Sequence, residues 1–322
     1  MARGDAGRST LRAMVDDSTA YPKRKMSKVL NRYEYSYSPG SVAQVPAVPR
    51  DAARLLIYDK KRKKTSYDTF RNIARYLPEG AILVFNETKV IPARIFLKKE
   101  TGGWVEALYV ASNKGLVQVL ADRKLTINSR LKLSSRLSFE VKRSDGRFYF
   151  LKPSFPLSRM HAVLEKFGAA PVPPYIRHSR RASMRLRKQY QALFAKRYGS
   201  IAAPTASLHI TNRLMRGLRQ KGFGIEFVTL HVGLGTFAPV TEEQLKKKAL
   251  HEERYVIGAG TARRLNAAKR RGRPIIAVGT TVVRALESAA ARNSISDATG
   301  STRLFIRPGY RFKFIDGIIT NF

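Results

Sequence analysis

The chain has 322 residues, 43% of them apolar, enough to bury a large core in more than one folded unit. It has no cysteine, which excludes disulfides, thiolate metal sites and thiol redox chemistry, and its five histidines are spaced too widely for any recognisable zinc pattern. Lysine and arginine number 61 against 23 aspartates and glutamates, a formal charge of +38 that attracts polyanions over long distances and makes nucleic acid the expected partner.

No apolar run approaches the roughly twenty residues needed to cross a bilayer, and no secretory signal opens the chain, so no membrane partner is expected. Residues 1–33 mix Arg, Ser, Gly and Asp without apolar periodicity and read as a basic flexible extension. An organellar address is the alternative, against which Asp5, Asp16 and Asp17 argue, because such peptides avoid acids. A cytoplasmic location is therefore expected, with an organellar matrix as the second choice.

Order is expected from near Tyr35. Arg54-Leu-Leu-Ile-Tyr58 has a buried-strand pattern, a polar turn runs from Asp59 to Thr65, and a short helix is predicted near Tyr67 to Tyr76. Ala81-Ile-Leu-Val-Phe85 is an unbroken apolar strand of the kind buried on both faces, and Asn86, Glu87 and Thr88 stand just past its carboxyl end, where α/β sheets usually bind ligands. From Arg94 to about Tyr149 short alternating segments separated by Gly, Asn and Asp turns read as a small barrel or sandwich. A brief helix is expected at Val163 to Phe167, followed by an extended connector, Pro171 to Ile176. The densest basic run comes next, with Arg177, Arg180, Arg181, Arg185, Arg187 and Lys188; without interleaved acids these charges repel one another, and a phosphate-facing role is predicted.

Gly199 to Thr211 is small and turn-rich and ends on a plausible cap for a helix burying Leu214, Met215 and Leu218 and stopping near Gly222. Val228 to Val240 is a strand leading into Gly233-Leu-Gly235. Each run carries one histidine, His209 and His231, at the edge of a regular element. Thr241-Glu-Glu-Gln244 is a capping box; a strand near Arg254 to Ile257, a helix from about Thr261 to Arg271, and a strand Pro274 to Thr281 leading into a helix Val282 to Arg292, capped by Thr281, complete the alternation. Residues 303–322 read as paired strands. The predicted fold is α/β: a mixed α/β main domain over 34–93 and 163–322, with an inserted small β-barrel domain over 94–162.

Gly233 and Gly235 come after a strand, but Phe237, Ala238 and Pro239 intervene before any helix, so the dinucleotide fingerprint is not met. No phosphate-loop lysine and no Gly-x-Ser-x-Gly elbow occurs. His209, His231, His251, Thr205, Thr236, Glu87, Glu253 and Asp316 remain as material for proton transfer and positioning.

The segments Val84 to Arg94, Glu100 to Gly103, Pro173 to Ile176, Gly199 to Thr211, Phe227 to Val240, Ala277 to Ser288, Pro308 to Lys313 and Thr320 to Phe322 resemble, in order, the S-adenosylmethionine:tRNA ribosyltransferase-isomerases of queuosine biosynthesis. The resemblance implies an α/β fold carrying an inserted barrel and a reaction in which the ribosyl part of S-adenosylmethionine passes to 7-aminomethyl-7-deazaguanine at the tRNA wobble position and rearranges to epoxyqueuosine. It implies S-adenosylmethionine as co-substrate, no metal, tRNA as partner and a monomer. On this reading His209 and His231 transfer protons; Glu87, Arg94, Thr205, Gly233, Gly235, Thr236, Thr280, Arg284 and Asp316 line the substrate site; and the Arg177 to Lys188 run with the barrel surface grips RNA phosphates. Ser207, Ile210, Lys248 and Arg307 stand where the family pattern carries Gly, Phe, His and Tyr, and Leu186, Arg187 and Lys188 replace its acids. The family pattern continues past Phe322, so the sequence is expected to be a fragment or its pocket incomplete. A second reading stays open: a relative that has lost catalysis and binds RNA, rRNA included, as a structural part of a ribonucleoprotein.

Overall fold

Alternating exposure along two short strands sets the first unit of the fold. In a computed structural model that describes residues 35–321 apart from 37, 147, 174–175, 177–185, 234 and 236–239, β1 (Arg54–Asp59) pairs antiparallel with β2 (Lys64–Thr69), Leu56 facing Tyr67 and Tyr58 facing Thr65. The helix predicted near Tyr67 to Tyr76 is instead the second half of this hairpin joined to a 3-10 helix, Phe70–Arg75. Lys-Thr-Ser-Tyr-Asp-Thr alternates with period two and is rich in β-branched and aromatic residues, which outweighs the helical tendency of the residues after Thr69.

β3 (Ile82–Asn86) is buried along its whole length, and its side chains divide between two cores: Ile82 and Val84 on one face, Leu83 and Phe85 on the other. That division, typical of a parallel strand covered on both sides, explains the unbroken apolar run. The short β4 (Thr88–Val90) leads into six strands that close on themselves: β5 (Arg94–Lys99), β6 (Trp104–Asn113), β7 (Leu116–Ala121), β8 (Arg130–Lys132), β9 (Ser138–Asp145) and β10 (Phe148–Pro153). Every pairing in this barrel is antiparallel, and its interior is a separate apolar cluster that includes Ile95, Leu97, Val105, Val119, Leu131, Phe139 and Leu151. Alternation of buried and exposed residues in β6 and β7 is what closure demands.

Helix α1 (Met160–Phe167) returns the chain to the barrel's entry, where Ala169 and Arg94 exchange backbone hydrogen bonds of 2.7 and 3.3 Å. After β11 (Arg197–Ser200), which pairs with β4, a 3-10 turn Thr205–His209 precedes α2 (Asn212–Gln220). Thr211 caps this helix, accepting from the Leu214 amide at 3.1 Å, and Leu214, Met215 and Leu218 are buried as predicted. Next in the chain are β12 (Gly224–Leu230), α3 (Glu242–Lys247) with its capping box, β13 (Ala249–Ile257), α4 (Ala259–Arg270), β14 (Ile275–Val278), α5 (Thr280–Ala289), the small ladder β15 (Ala290–Ala291) with β16 (Ser294–Ile295), β17 (Ala298–Leu304) and β18 (Gly317–Ile319).

The main sheet runs β17-β13-β12-β3-β14-β18. Its last four strands are mutually parallel, so their carboxyl ends share one edge. Two expectations need correction. Thr281 does not cap α5; Gly279 does, with φ +99, a backbone angle costly for any side-chain-bearing residue. Among the described residues, 303–321 do not pair with each other: β17 and β18 occupy opposite edges of the sheet, with a loop cinched around Glu287 between them. Among the described residues no helix is long and apolar enough to cross a membrane.

Candidate functional site

The carboxyl edge of the four parallel strands gathers the residues that sequence reasoning singled out. Asn86 ends β3 fully buried, and its side-chain amide ties three elements: it donates to the Leu230 carbonyl (2.9 Å) and to Thr281 Oγ1 (3.2 Å), and accepts from the Leu230 and Thr88 amides. Thr88, also buried, places its hydroxyl 2.9 Å from His231 Nδ1 just past the end of β12. The imidazole rests on Gly199, where a Cβ would come within 2.8 Å of the ring, so only glycine allows this seat. Burial, and after it the charge of Arg197, lowers the His231 pKa, so the ring is neutral near pH 7 and one ring nitrogen is free to accept a proton.

Glu87 adjoins this corner. Its amide donates to the Val228 carbonyl, its carboxylate accepts from Arg197 Nε at 3.3 Å, and it lines a polar cleft of about 490 Å³ with Glu226, Thr261 and Arg264. That cleft opens because β12 meets β13 only at Thr229 and Leu230, which leaves the earlier part of β12 splayed from its neighbour.

A second cavity of about 490 Å³, mostly apolar, lies beside the amino end of α5. Thr280, Thr281, Val283 and Arg284 supply one wall, Leu250, His251 and Glu253 of β13 another, and Leu304 to Ile306 with Phe312, Ile315 and Ile318 a third; Gly235, Val240 and Gln244 also line it. The buried Glu253 carboxylate accepts from the Gly233 amide at 3.0 Å and pairs with the Arg284 guanidinium, which also donates to the Leu304, His251 and Thr302 carbonyls. Burial pushes the Glu253 pKa up, opposed by Arg284, the Gly233 amide and His251; burial pushes Arg284 down, opposed by Glu253. Gly235 packs so closely on His251 that a Cβ would lie 2.6 Å from its ring.

His209 ends the 3-10 turn after Pro204. Its Nε2 meets Asn321 Oδ1 at 2.9 Å, and its ring lies 5.2 Å from that of Phe70. Asn321 lies past β18, which stands three places from β12 in the sheet order, so the two histidines sit at different points along this edge. Their hydrogen-bond partners differ, and neither ring lines the apolar cavity; His251 does. Thr205 opens the same 3-10 turn, half-buried.

Two candidates fall elsewhere. Asp316 precedes β18, at the amino end of the parallel strands, where it accepts from the Ile275 amide (2.8 Å) and Lys269 Nζ (2.8 Å); its carboxylate fastens the start of β14 and faces away from the carboxyl-edge site. Arg94 lies in the seam between barrel and connector, its guanidinium held by Glu106 and, at 2.7 Å, by the Val172 carbonyl; burial lowers its pKa to about 10. Arg187 pairs with Glu165, and the Lys188 carbonyl accepts from Arg50; Arg177, Arg180, Arg181, Arg185 and Thr236 lie outside the described residues. Ser207 is fully buried in the 3-10 turn and Ile210 joins the core, while Lys248 takes the left-handed cap position of α3.

Sequence reasoning named His251 and Glu253 only as raw material, and missed Thr281 and the Phe312 to Ile318 wall. The usable signal was the Glu-Glu pair in a strand, where alternation turns one carboxylate inward.

Fold and site together define a class: an α/β protein with a barrel excursion, whose cavity at the carboxyl edge of a parallel sheet carries a buried acid–base pair. The chain belongs to the Queuosine biosynthesis protein family, whose profile matches residues 30–322. It is 42% identical over 299 residues to the S-adenosylmethionine:tRNA ribosyltransferase-isomerase of Carboxydothermus hydrogenoformans, covering 91% of this chain and 86% of that protein. It is 40% identical over 303 residues to the protein of the same name from Moorella thermoacetica, with the same coverage. A crystal structure of the S-adenosylmethionine tRNA ribosyltransferase from Thermotoga maritima matches at 30% identity and a TM-score of 0.47, over 90% of this chain and 84% of that one.

Proposed function

We propose that the chain transfers and isomerises the ribosyl moiety of S-adenosylmethionine onto 7-aminomethyl-7-deazaguanine in tRNA, giving epoxyqueuosine. The observation that carries this reading is the near-full-length identity with enzymes named for that reaction. The apolar cavity is of a size that takes a nucleoside-sized ligand. Its apolar wall suits the adenine, and the α5 amino terminus beside Thr280 and Thr281 favours an anionic group such as the methionine carboxylate. Glu253, held by Arg284, supplies negative charge for the sulfonium. His251 lines the cavity and suits delivery to the departing adenine; His231, neutral and fixed by Thr88, stands outside the cavity lining, so it takes a proton from the carbon next to the sulfonium only where the ligand extends from the cavity toward Thr88. Arg94 acts at a distance, by holding the barrel seam.

In this reading residues 94–162 form the inserted domain, the protein works as a cytoplasmic monomer, and the Arg177 to Lys188 run touches RNA phosphates. The relatives' names give the ribonucleoprotein alternative no support. Incubation with S-adenosylmethionine and a tRNA carrying the deazaguanine precursor is expected to release adenine and methionine. No adenine release, with no heat of S-adenosylmethionine binding, would reject the enzyme.

A further inference from the structure

The β1–β2 hairpin carries an exposed face with a chemistry of its own. Period-two alternation puts Leu55, Ile57, Ser66 and Asp68 toward the body and Arg54, Leu56, Tyr58, Thr65, Tyr67 and Thr69 outward. The register sets Leu56 opposite Tyr67 and Tyr58 opposite Thr65, so two phenol rings and an isobutyl group lie on one small patch. They are far from covered: Tyr67 is 77% exposed, Tyr58 59% and Leu56 43%. Exposed apolar side chains grouped on one face, unlike single ones, mark an interaction surface.

The hairpin's tip is the unbroken cationic run Lys60-Lys-Arg-Lys-Lys64, all exposed. Asp59 builds the turn, its Oδ1 accepting from the Lys61 amide at 2.9 Å and the Arg62 amide at 3.0 Å, and Lys63 takes the left-handed angle, φ 52. The Asp59 carboxylate thus fixes the turn and also forms a long ion pair with Arg62, at 3.9 Å, while the lysines of the tip are exposed. Aromatic faces beside a row of cations match an unpaired nucleic-acid strand, whose bases stack while its phosphates meet the charges.

We propose that the β1–β2 hairpin is a binding site for single-stranded RNA, stacking bases on Tyr58 and Tyr67 and holding phosphates at Lys60 to Lys64. With the function proposed above, on which this step rests, the strand is the anticodon loop of the substrate. The position fits. β2 runs directly into Phe70, whose ring packs on His209, so along the strand Tyr67 lies about 10 Å from Phe70 and the tip at Arg62 about 25 Å from it. A loop of a few nucleotides spans that distance, with one base at the site and its neighbours on the tyrosines.

The test compares wild type with Tyr58→Ala/Tyr67→Ala, with Tyr58→Phe/Tyr67→Phe, and with Lys60→Gln/Lys61→Gln/Arg62→Gln. Binding is measured by fluorescence anisotropy for a seven-nucleotide single-stranded RNA, a blunt RNA duplex and a whole tRNA across a salt series, and calorimetry tracks S-adenosylmethionine. The alanine pair is expected to weaken single-strand and tRNA binding by about tenfold or more per lost stack, with the salt slope unchanged. The phenylalanine pair is expected to bind like wild type, since the rings are kept. The glutamine triple is expected to lower the slope of log affinity against log salt by about 2 for the single strand. Duplex and S-adenosylmethionine binding stay unchanged in the alanine pair. If both the alanine pair and the glutamine triple bind the single strand as wild type does, the assignment is overturned, whatever the outcome of the adenine-release assay. Equal loss of duplex and single-strand affinity in the alanine pair also overturns it.

Discussion

At the scale of single residues, the seat of His231 is the most constrained feature. The ring is squeezed between the Thr88 hydroxyl and the Cα of Gly199, whose φ of +144 already lies outside the range most side chains adopt. Gly199→Ala is expected to push the ring off Thr88 and cost about 1–3 kcal/mol in stability by urea titration, with kcat falling more than S-adenosylmethionine affinity. The same seat sets a pH dependence. Because the folded-state pKa of His231 lies below the ordinary 6.5, the unfolded chain binds the proton first as pH falls. Stability is therefore lost from about pH 6.5 downward until the folded-state pKa is passed. Urea midpoints of wild type and His231→Gln, compared at about pH 7.5 and about pH 5.5, on either side of the unfolded-state pKa, are expected to show a smaller drop in the variant. If His231 is the base, the acid limb of kcat/KM, which reports the free enzyme, falls with an apparent pKa below 6.5. Equal drops in both proteins would remove His231 as the source of the stability effect.

At the scale of elements, Glu287 organises a wall of the apolar cavity from behind. Its buried carboxylate accepts from four donors: Oε2 from the Tyr310 hydroxyl (3.0 Å) and the Lys313 amide (2.8 Å), Oε1 from the Phe314 amide (3.0 Å) and the Ile315 amide (3.1 Å). An acceptor-only carboxylate suits four donors, whereas an amide offers one acceptor oxygen and turns its NH₂ toward hydrogens. Glu287→Gln is expected to cost about 2–4 kcal/mol by urea titration, and to raise the KM for S-adenosylmethionine more than it lowers kcat, since Phe312 and Ile315 line the cavity. Tyr310→Phe loses one of the four bonds and is expected to cost about 1 kcal/mol, with a phenol titrating near pH 12 missing from its ultraviolet spectrum. Little of this was legible in the sequence. Local signals were: Thr211 and Thr241 announced their helices, the apolar β3 and β14 announced a parallel sheet buried on both faces, and alternation from Trp104 onward announced the barrel. A loop held by one carboxylate from a helix 23 residues upstream leaves no local pattern. The pairing of Glu253 with Arg284 likewise joins separate elements, and Asp316 read as a site acid only because nothing nearby in the sequence shows that it faces Lys269.

At the scale of the whole molecule, the barrel and the main sheet keep separate cores, and the chain leaves and re-enters the sheet region at neighbouring points. Arg94 and Ala169 bond to each other across that junction, so a short linker can replace everything between them without stretching either end. Ile91, Ala93 and Ile201 are the places where the barrel cluster reaches into the body, and their exposure is the main penalty of such an excision. The barrel's exposed side chains include Lys98, Arg130, Lys132, Lys142, Arg143 and Lys152, which add to the formal charge of +38. Binding that depends on so many cations scales with their number, because each neutralised phosphate releases a condensed counterion. A variant in which a Gly/Ser linker replaces residues 96–167 is therefore expected to bind S-adenosylmethionine close to wild-type affinity while its tRNA binding falls and its salt slope becomes shallower. Calorimetry and a salt series of anisotropy titrations measure the two halves separately. Loss of S-adenosylmethionine binding in a variant with native-like circular dichroism would mean that the barrel supports the cavity directly. An unchanged salt slope would move the phosphate contacts off the barrel, onto the hairpin tip and the Arg177 to Lys188 run.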